Sequence, residues 1–219
     1  MDLPAELRLN IYRCCLTRPF DIILSRNPPP LPPNQKPVEK EVPSSINRSS
    51  QPLRPQDEDP LLIALLRTSK QMYKEARNIL YSENIFSLDL STAQPTLSAL
   101  HQRSRMQIRH LELTIPTHGD ILERFAEVVR LSLRYCWGLK KFVIHMPFVL
   151  PGTDGSGQSG NTTVYANAFD ILRWLPQGCE VELRGNVCEE IAAVVEKNAR
   201  LRRSLDKVCP RPVTPPFID

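Results

Sequence analysis

The stretch Ile108-Arg109-His110-Leu111-Glu112-Leu113-Thr114-Ile115 decides how this chain is read. Leu111, Leu113 and Ile115 take alternate positions with polar residues between them, the period of a half-buried strand. Directly behind it the period changes. Residues 120–136 place Leu122, Phe125, Val129, Leu133 and Cys136 at steps of three and four, which predicts a helix. Leu139 to Met146 then reads as a strand again.

The same alternation extends in both directions. Upstream, Ile85-Phe86-Ser87-Leu88-Asp89-Leu90 has strand period and residues 93–104 are helical. Downstream, residues 164–175 form a helix stopped by Pro176, and Cys179 to Arg184 is a strand. Asn186 with Glu189 predicts a capping box for a helix over 187–205, apolar at Ile191, Val194, Val195 and Leu205. Residues 85–207 are therefore expected to run β-α-β-α-β-α-β-α, which favours parallel strands joined by right-handed crossovers. The expected class is α+β or α/β with four strands in this region. Strand starts at 85, 108, 139 and 179 keep no strict period. Both an irregular leucine-rich-repeat-like arc and a small open parallel sheet remain compatible with them.

The first third differs in character. Residues 1–26 hold a helix over 3–16 and a short apolar run, Asp21-Ile22-Ile23-Leu24, with strand character. On that helix Leu7, Ile11, Cys14 and Cys15 share one side, while Leu9, Tyr12 and Leu16 occupy the next; Arg8 interrupts the apolar side. A single-stripe surface helix is apolar over less of its circumference, so this one is expected to be covered from two directions. Residues 27–59 are a proline-rich insertion expected to be disordered, with ten prolines between Pro28 and Pro60. Arg26 to Pro32 within it fits an R-x-x-P-x-x-P polyproline ligand pattern. Asp57-Glu58-Asp59-Pro60 reads as a helix start, followed by the stripe Leu62, Leu65, Ser69, Met72, Ala76, Ile79 over 60–84. That segment is one long helix or two short ones broken near Thr68. Residues 151–163 read as a Gly/Ser/Thr loop and 208–219 as a proline-rich tail.

Composition narrows the function. The 219 residues are 41% hydrophobic and 24% charged, enough for one domain with a core. No apolar run approaches the roughly 18–20 residues of a membrane span, and the N-terminus has no signal-peptide pattern. The net charge of +4 lies in the last segment, because residues 61–196 carry 14 bases and 14 acids. A neutral body argues against a general nucleic-acid binder. Six cysteines include no C-x-x-C pair, so no zinc site is expected, and reduced thiols in cytosol or nucleus are the default. Buried structural roles are expected for Cys14, Cys15 and Cys188.

Two segments carry a family resemblance. Leu3-Pro4-Ala5-Glu6-Leu7-Arg8-Leu9-Asn10-Ile11-Tyr12 is similar to the L-P-x-E-L-x-x-x-I-[YF] opening of F-box domains. Leu65-Leu66-Arg67-Thr68-Ser69-Lys70-Gln71-Met72-Tyr73-Lys74-Glu75-Ala76, followed by Leu80-Tyr81-Ser82-Glu83-Asn84-Ile85-Phe86, resembles a block found in a group of fungal F-box-like proteins. The resemblance implies a three-helix module, with residues 3–16 as its first helix and 60–81 as its second and third. It also implies a partner, a Skp1-like adaptor that tethers a substrate receptor to a cullin ubiquitin ligase. By the same resemblance Leu3, Pro4, Leu7 and Ile11 face that adaptor, while Leu9, Tyr12 and Leu16 face inward.

No catalytic constellation accompanies this. The motifs of zincins, serine hydrolases, P-loops and dinucleotide folds are missing, and Gly152 to Gly157 lacks the helix a phosphate cradle needs. His101, His110, His118 and His145 are expected as ordinary surface or core residues, and Tyr135 and Trp137 as core aromatics. Lys197, Arg200, Arg202, Arg203 and Lys207 read as a solvated basic helix face. The expectation is a non-enzymatic interaction protein without a cofactor, acting as an F-box-type adaptor or substrate receptor. The alternative is a stand-alone structural or protein-binding domain whose F-box-like helices belong to its own core.

Overall fold

The structure, a computed structural model, describes residues 3–24, 61–148 and 162–208. The expectations for 27–59, for the Asp57–Pro60 helix start, for most of the 151–163 loop and for the tail beyond Val208 lie outside the described residues.

The chain opens with α1 (Ala5–Leu16) and β1 (Ile22–Ile23). A 3₁₀ turn (Ile63–Arg67) leads to α2 (Lys70–Glu83) and β2 (Ile85–Asp89). Next come α3 (Leu90–Ala99), α4 (Gln102–Arg105) and β3 (His110–Thr114). The following crossover is segmented into α5 (His118–Asp120), a π-helical turn (Ile121–Phe125), α6 (Ala126–Leu131) and a 3₁₀ turn (Leu133–Tyr135) before β4 (Lys141–Met146). Then α7 (Thr162–Ala168) and a 3₁₀ turn (Phe169–Trp174) precede β5 (Glu180–Gly185) and α8 (Glu189–Val208). The class is α+β, with one five-stranded sheet.

All strand pairs are parallel and the spatial order is β1-β2-β3-β4-β5, identical to the chain order. Right-handed crossovers that always step in the same direction place every connecting helix on the same face. The burial pattern agrees. Phe86, Leu111 and Phe142 align across the sheet, as do Leu88, Leu113 and Ile144, and all six are buried. They share one core with Leu97, Phe125, Val129, Phe169, Leu172 and Ile191 from the crossovers and α8. The opposite face is left without helices among the described residues.

The four strands expected in 85–207 are β2 to β5, and the fifth, β1, comes from the run Asp21–Leu24. Ile22 and Ile23 pair with Phe86 and Ser87, so the N-terminal run joins the sheet edge. A second, smaller core of Tyr12, Leu16, Ala76, Ile79 and Leu80 packs α1 on α2, and half-buried Tyr81 touches both cores.

Local chemistry sets the helix limits. The 60–84 segment is two helices: Thr68 and Ser69 break it, and the Ser69 side chain caps α2 by accepting from the Met72 N–H at 3.1 Å. The helix expected over 93–104 is also two, because the chain leaves helical geometry at Leu100 and His101 Nδ1 restarts it, accepting from the Arg103 N–H. Over 120–136 the wider π turn rotates the stripe. Ile121, Phe125, Val128 and Val129 are buried, whereas Leu122 is exposed instead of joining the core. The capping box at Asn186 does not form, since α8 starts at Glu189. Asn186 is instead tied to the sheet, its N–H to the Met146 carbonyl at 2.9 Å and its side-chain amide to the Pro147 carbonyl at 3.2 Å.

Candidate functional surfaces

Leu3, Leu7 and Ile11 recur every four residues, so they form one stripe along α1. Their exposures are 50%, 50% and 45%, and Pro4 at the helix start is exposed as well. Tyr12 and Leu16 are buried and half-buried Leu9 packs with them. The structure therefore brings Leu3, Pro4, Leu7 and Ile11 together on the outward side. The Leu62 N–H donates to the Cys15 carbonyl at 3.4 Å, which places exposed Leu62 and Ile63 at the far end of α1. Cys14 is exposed rather than buried, because the outward side continues through it.

Polar ties hold the inward side. Arg8, which looks like a flaw in the apolar pattern, donates two hydrogen bonds to Glu75, Nε to Oε2 at 3.1 Å and Nη2 to Oε1 at 2.8 Å. Hydrogen bonds from Arg8 and then Gln71 hold the Glu75 carboxyl down at about 2. Asn84 is fully buried; its side-chain amide donates to the Leu16 and Leu80 carbonyls at 2.8 and 2.9 Å, and its oxygen accepts from the Arg18 N–H at 2.8 Å. One residue thus joins the ends of α1 and α2.

The helix-free sheet face is the second surface. Register places Ile85, His110, Lys141 and Glu180 in one row. Ser87, Glu112, Val143 and Glu182 form the next, and Asp89, Thr114, His145 and Arg184 the third. Ionic groups cross-link the strands: His145 Nε2 lies 3.1 Å from Glu112 and Arg184 lies 3.5 Å from it. Glu182 meets Lys141 and Arg184, each at 2.7 Å. Hydrogen bonds from Arg184 and Lys141 keep Glu182 ionised down to about 2. Val143 floors a depression of about 210 Å³ among these groups. Burial, helped by the positive Arg109 and Lys141, lowers the His110 pKa. Ser87 and His145 stand two strands and two residues apart, roughly 12 Å, so these two do not pair. The strand alternation was visible in sequence, but the strand order that brings Glu112, His145, Lys141, Glu182 and Arg184 together was not.

The remaining candidates separate. His101 caps α4, and His118 packs near Phe148 and Tyr165. Burial pushes the Cys136 thiol up to about 12, so it stays protonated and inert. Tyr135 and Trp137 are exposed rather than core, because the 3₁₀ turn gives the inward position to Leu133. On α8, Arg200 pairs with Glu196 at 2.6 Å on a solvated surface. Among the described residues no group of three His, Cys, Asp or Glu could hold a metal, and no helix is long and apolar enough to cross a membrane.

Residues 1–134 match a family described as a domain of unknown function (DUF7730). No curated protein matches the chain, and no solved structure matches it.

Proposed function

The chain belongs to the DUF7730 family, and from that premise we propose that it is a protein-interaction module of F-box type, an adaptor or substrate receptor for a Skp1–cullin ubiquitin ligase. The outward stripe of Leu3, Pro4, Leu7 and Ile11 carries the reading. Three large apolar side chains about half exposed along one helix line form a surface without a partner among the described residues, while the neighbouring arc is already spent on the small core. In this reading α1, the Ile63–Arg67 turn and α2 are the three F-box-like helices. The sheet is a short leucine-rich-repeat-like arc whose helix-free face meets a substrate protein, as the stacking of neighbouring units favours. Such a module works in cytosol or nucleus and needs no cofactor.

A second reading has support of its own. Asn84, Tyr81 and the β1–β2 pairing fasten the N-terminal helices to the sheet, as a stand-alone domain using those helices as core would require. Co-expression with a fungal Skp1 followed by size-exclusion chromatography separates the two. The ligase reading expects a co-eluting complex. It also expects Leu7→Ala to weaken that complex by at least about tenfold, the scale of a hot-spot truncation, with an unchanged melting temperature. Tyr12→Ala should cost about 3–5 kcal/mol of stability as a core truncation. No complex with wild type, or a Leu7→Ala variant as unstable as Tyr12→Ala, leaves the stand-alone reading.

A further inference from the structure

A third feature lies apart from both surfaces. Between the start of α2 and α4 opens a cleft of about 1270 Å³. Arg67, Lys70, Lys74, Arg77 and Arg103 line it, and among the described residues no carboxylate does. Six other cations, Arg8, Arg13, Arg124, Lys141, Arg184 and Arg200, sit in ion pairs. Among the described residues none of the five cleft cations does. Arg77 is held over the Tyr73 ring at 5.1 Å, and its buried Nε has no hydrogen-bond partner. The positive end of the α2 dipole opens at Ser69 on the cleft wall and adds to the field. Leu66, Tyr73 and Met106 give the same cleft an apolar component, and Tyr73 and Met106 are themselves exposed.

We infer that this cleft binds an acidic peptide segment of a partner protein, one that sets an apolar side chain among its carboxylates. Five like charges gathered without counter-charge repel one another, and an anionic occupant relieves that repulsion. The volume exceeds the roughly 300–1,000 Å³ of small-molecule pockets, so a length of chain fits better than a metabolite. The apolar wall needs an apolar group on the ligand, which inorganic phosphate lacks. A nucleic acid would need a long positive track, whereas residues 61–196 balance 14 bases with 14 acids, so the field stays local. The inference is independent of adaptor binding, since the cleft contains none of Leu3, Pro4, Leu7 and Ile11.

The test is fluorescence anisotropy with a fluorescein-labelled peptide rich in Glu and Asp around a central Leu. Its Gln/Asn counterpart and a single-stranded oligonucleotide of equal length serve as controls. Wild type should bind the acidic peptide, more weakly as salt rises, and should ignore the neutral one. Lys70→Glu with Arg103→Glu, both at exposed positions, should weaken binding by at least about tenfold with the melting temperature kept. If that pair does not melt cooperatively, Arg67→Gln with Lys74→Gln carries the same expectation. Wild type that does not bind, equal binding by the folded charge variant, or tighter binding of the oligonucleotide overturns the proposal. The Leu7→Ala variant should bind the peptide as wild type does, so failure of adaptor binding leaves this result standing.

Discussion

Asn84 shows how much a single buried amide can hold. It satisfies two carbonyls and one N–H at the junction of α1, α2 and β2, where water does not reach. Asn84→Ala strands those groups, and a buried unsatisfied group costs about 1–3 kcal/mol. The variant should therefore lose about 2–4 kcal/mol, read from chemical denaturation. Glu75 gives a pH-dependent counterpart. Its folded pKa lies near 2, below the ordinary 4.5, so the carboxylate stabilises the fold above about pH 4.5, and that contribution is lost as pH falls toward 2. Glu75→Gln should flatten the acid limb of the melting-temperature profile in that window, and an unchanged limb would count against this role. The sequence showed Arg8 as an interruption and Asn84 as one letter of a motif. Glu75 lies more than sixty residues from Arg8, and Leu16 and Arg18 as far from Asn84, and periodicity reports no contacts at that range.

At the scale of elements, strands were more legible than helix interiors. Strand alternation survives because one face packs against helices and the other meets water, as at Leu111 and Leu113 beside Glu112. The crossover after β3 was legible only in outline. A π turn shifts the register partway along, so Val129 stays inside and Leu122, four residues before Ala126, leaves the core. Val129→Asp should abolish cooperative folding, because a buried unpaired carboxylate costs several kcal/mol against a total stability of roughly 5–15. Leu122→Asp, on the same crossover, should melt within a few degrees of wild type, as surface substitutions mostly do. A regular helix through 120–136 would make both substitutions severe, so thermal melts of the pair check the register. The outward stripe of α1 was legible at this scale too. An apolar arc wider than one contact requires, read from Leu7, Ile11, Leu9 and Tyr12, is what the exposed and buried sides display.

At the scale of the molecule, two cores of unequal size share one chain. Among the described residues the α1–α2 core has five buried members, whereas the sheet core draws on each crossover from β2 onward. Local opening follows the number of apolar contacts that must be broken. Native-state hydrogen exchange should therefore show amides of α1 and α2 exchanging through a lower-energy opening than those of β3 and β4. Equal protection across both would mean that Tyr81 and Asn84 weld the cores into one cooperative unit.

The strand order has a wider consequence. Each strand pairs only with its neighbours in the chain, so no connection has to bridge to a distant strand. Added length between two strands then leaves every other pairing intact, and doubling a connection costs only about 0.6 kcal/mol of closure entropy. The run from Ile23 to Ile85 joins adjacent strands through some sixty residues, while β2 and β3 are joined by about a third of that. Such a layout lets new sequence accumulate at one joint at a time. A segment added to or removed from one connection need not disturb the pairing of the other strands.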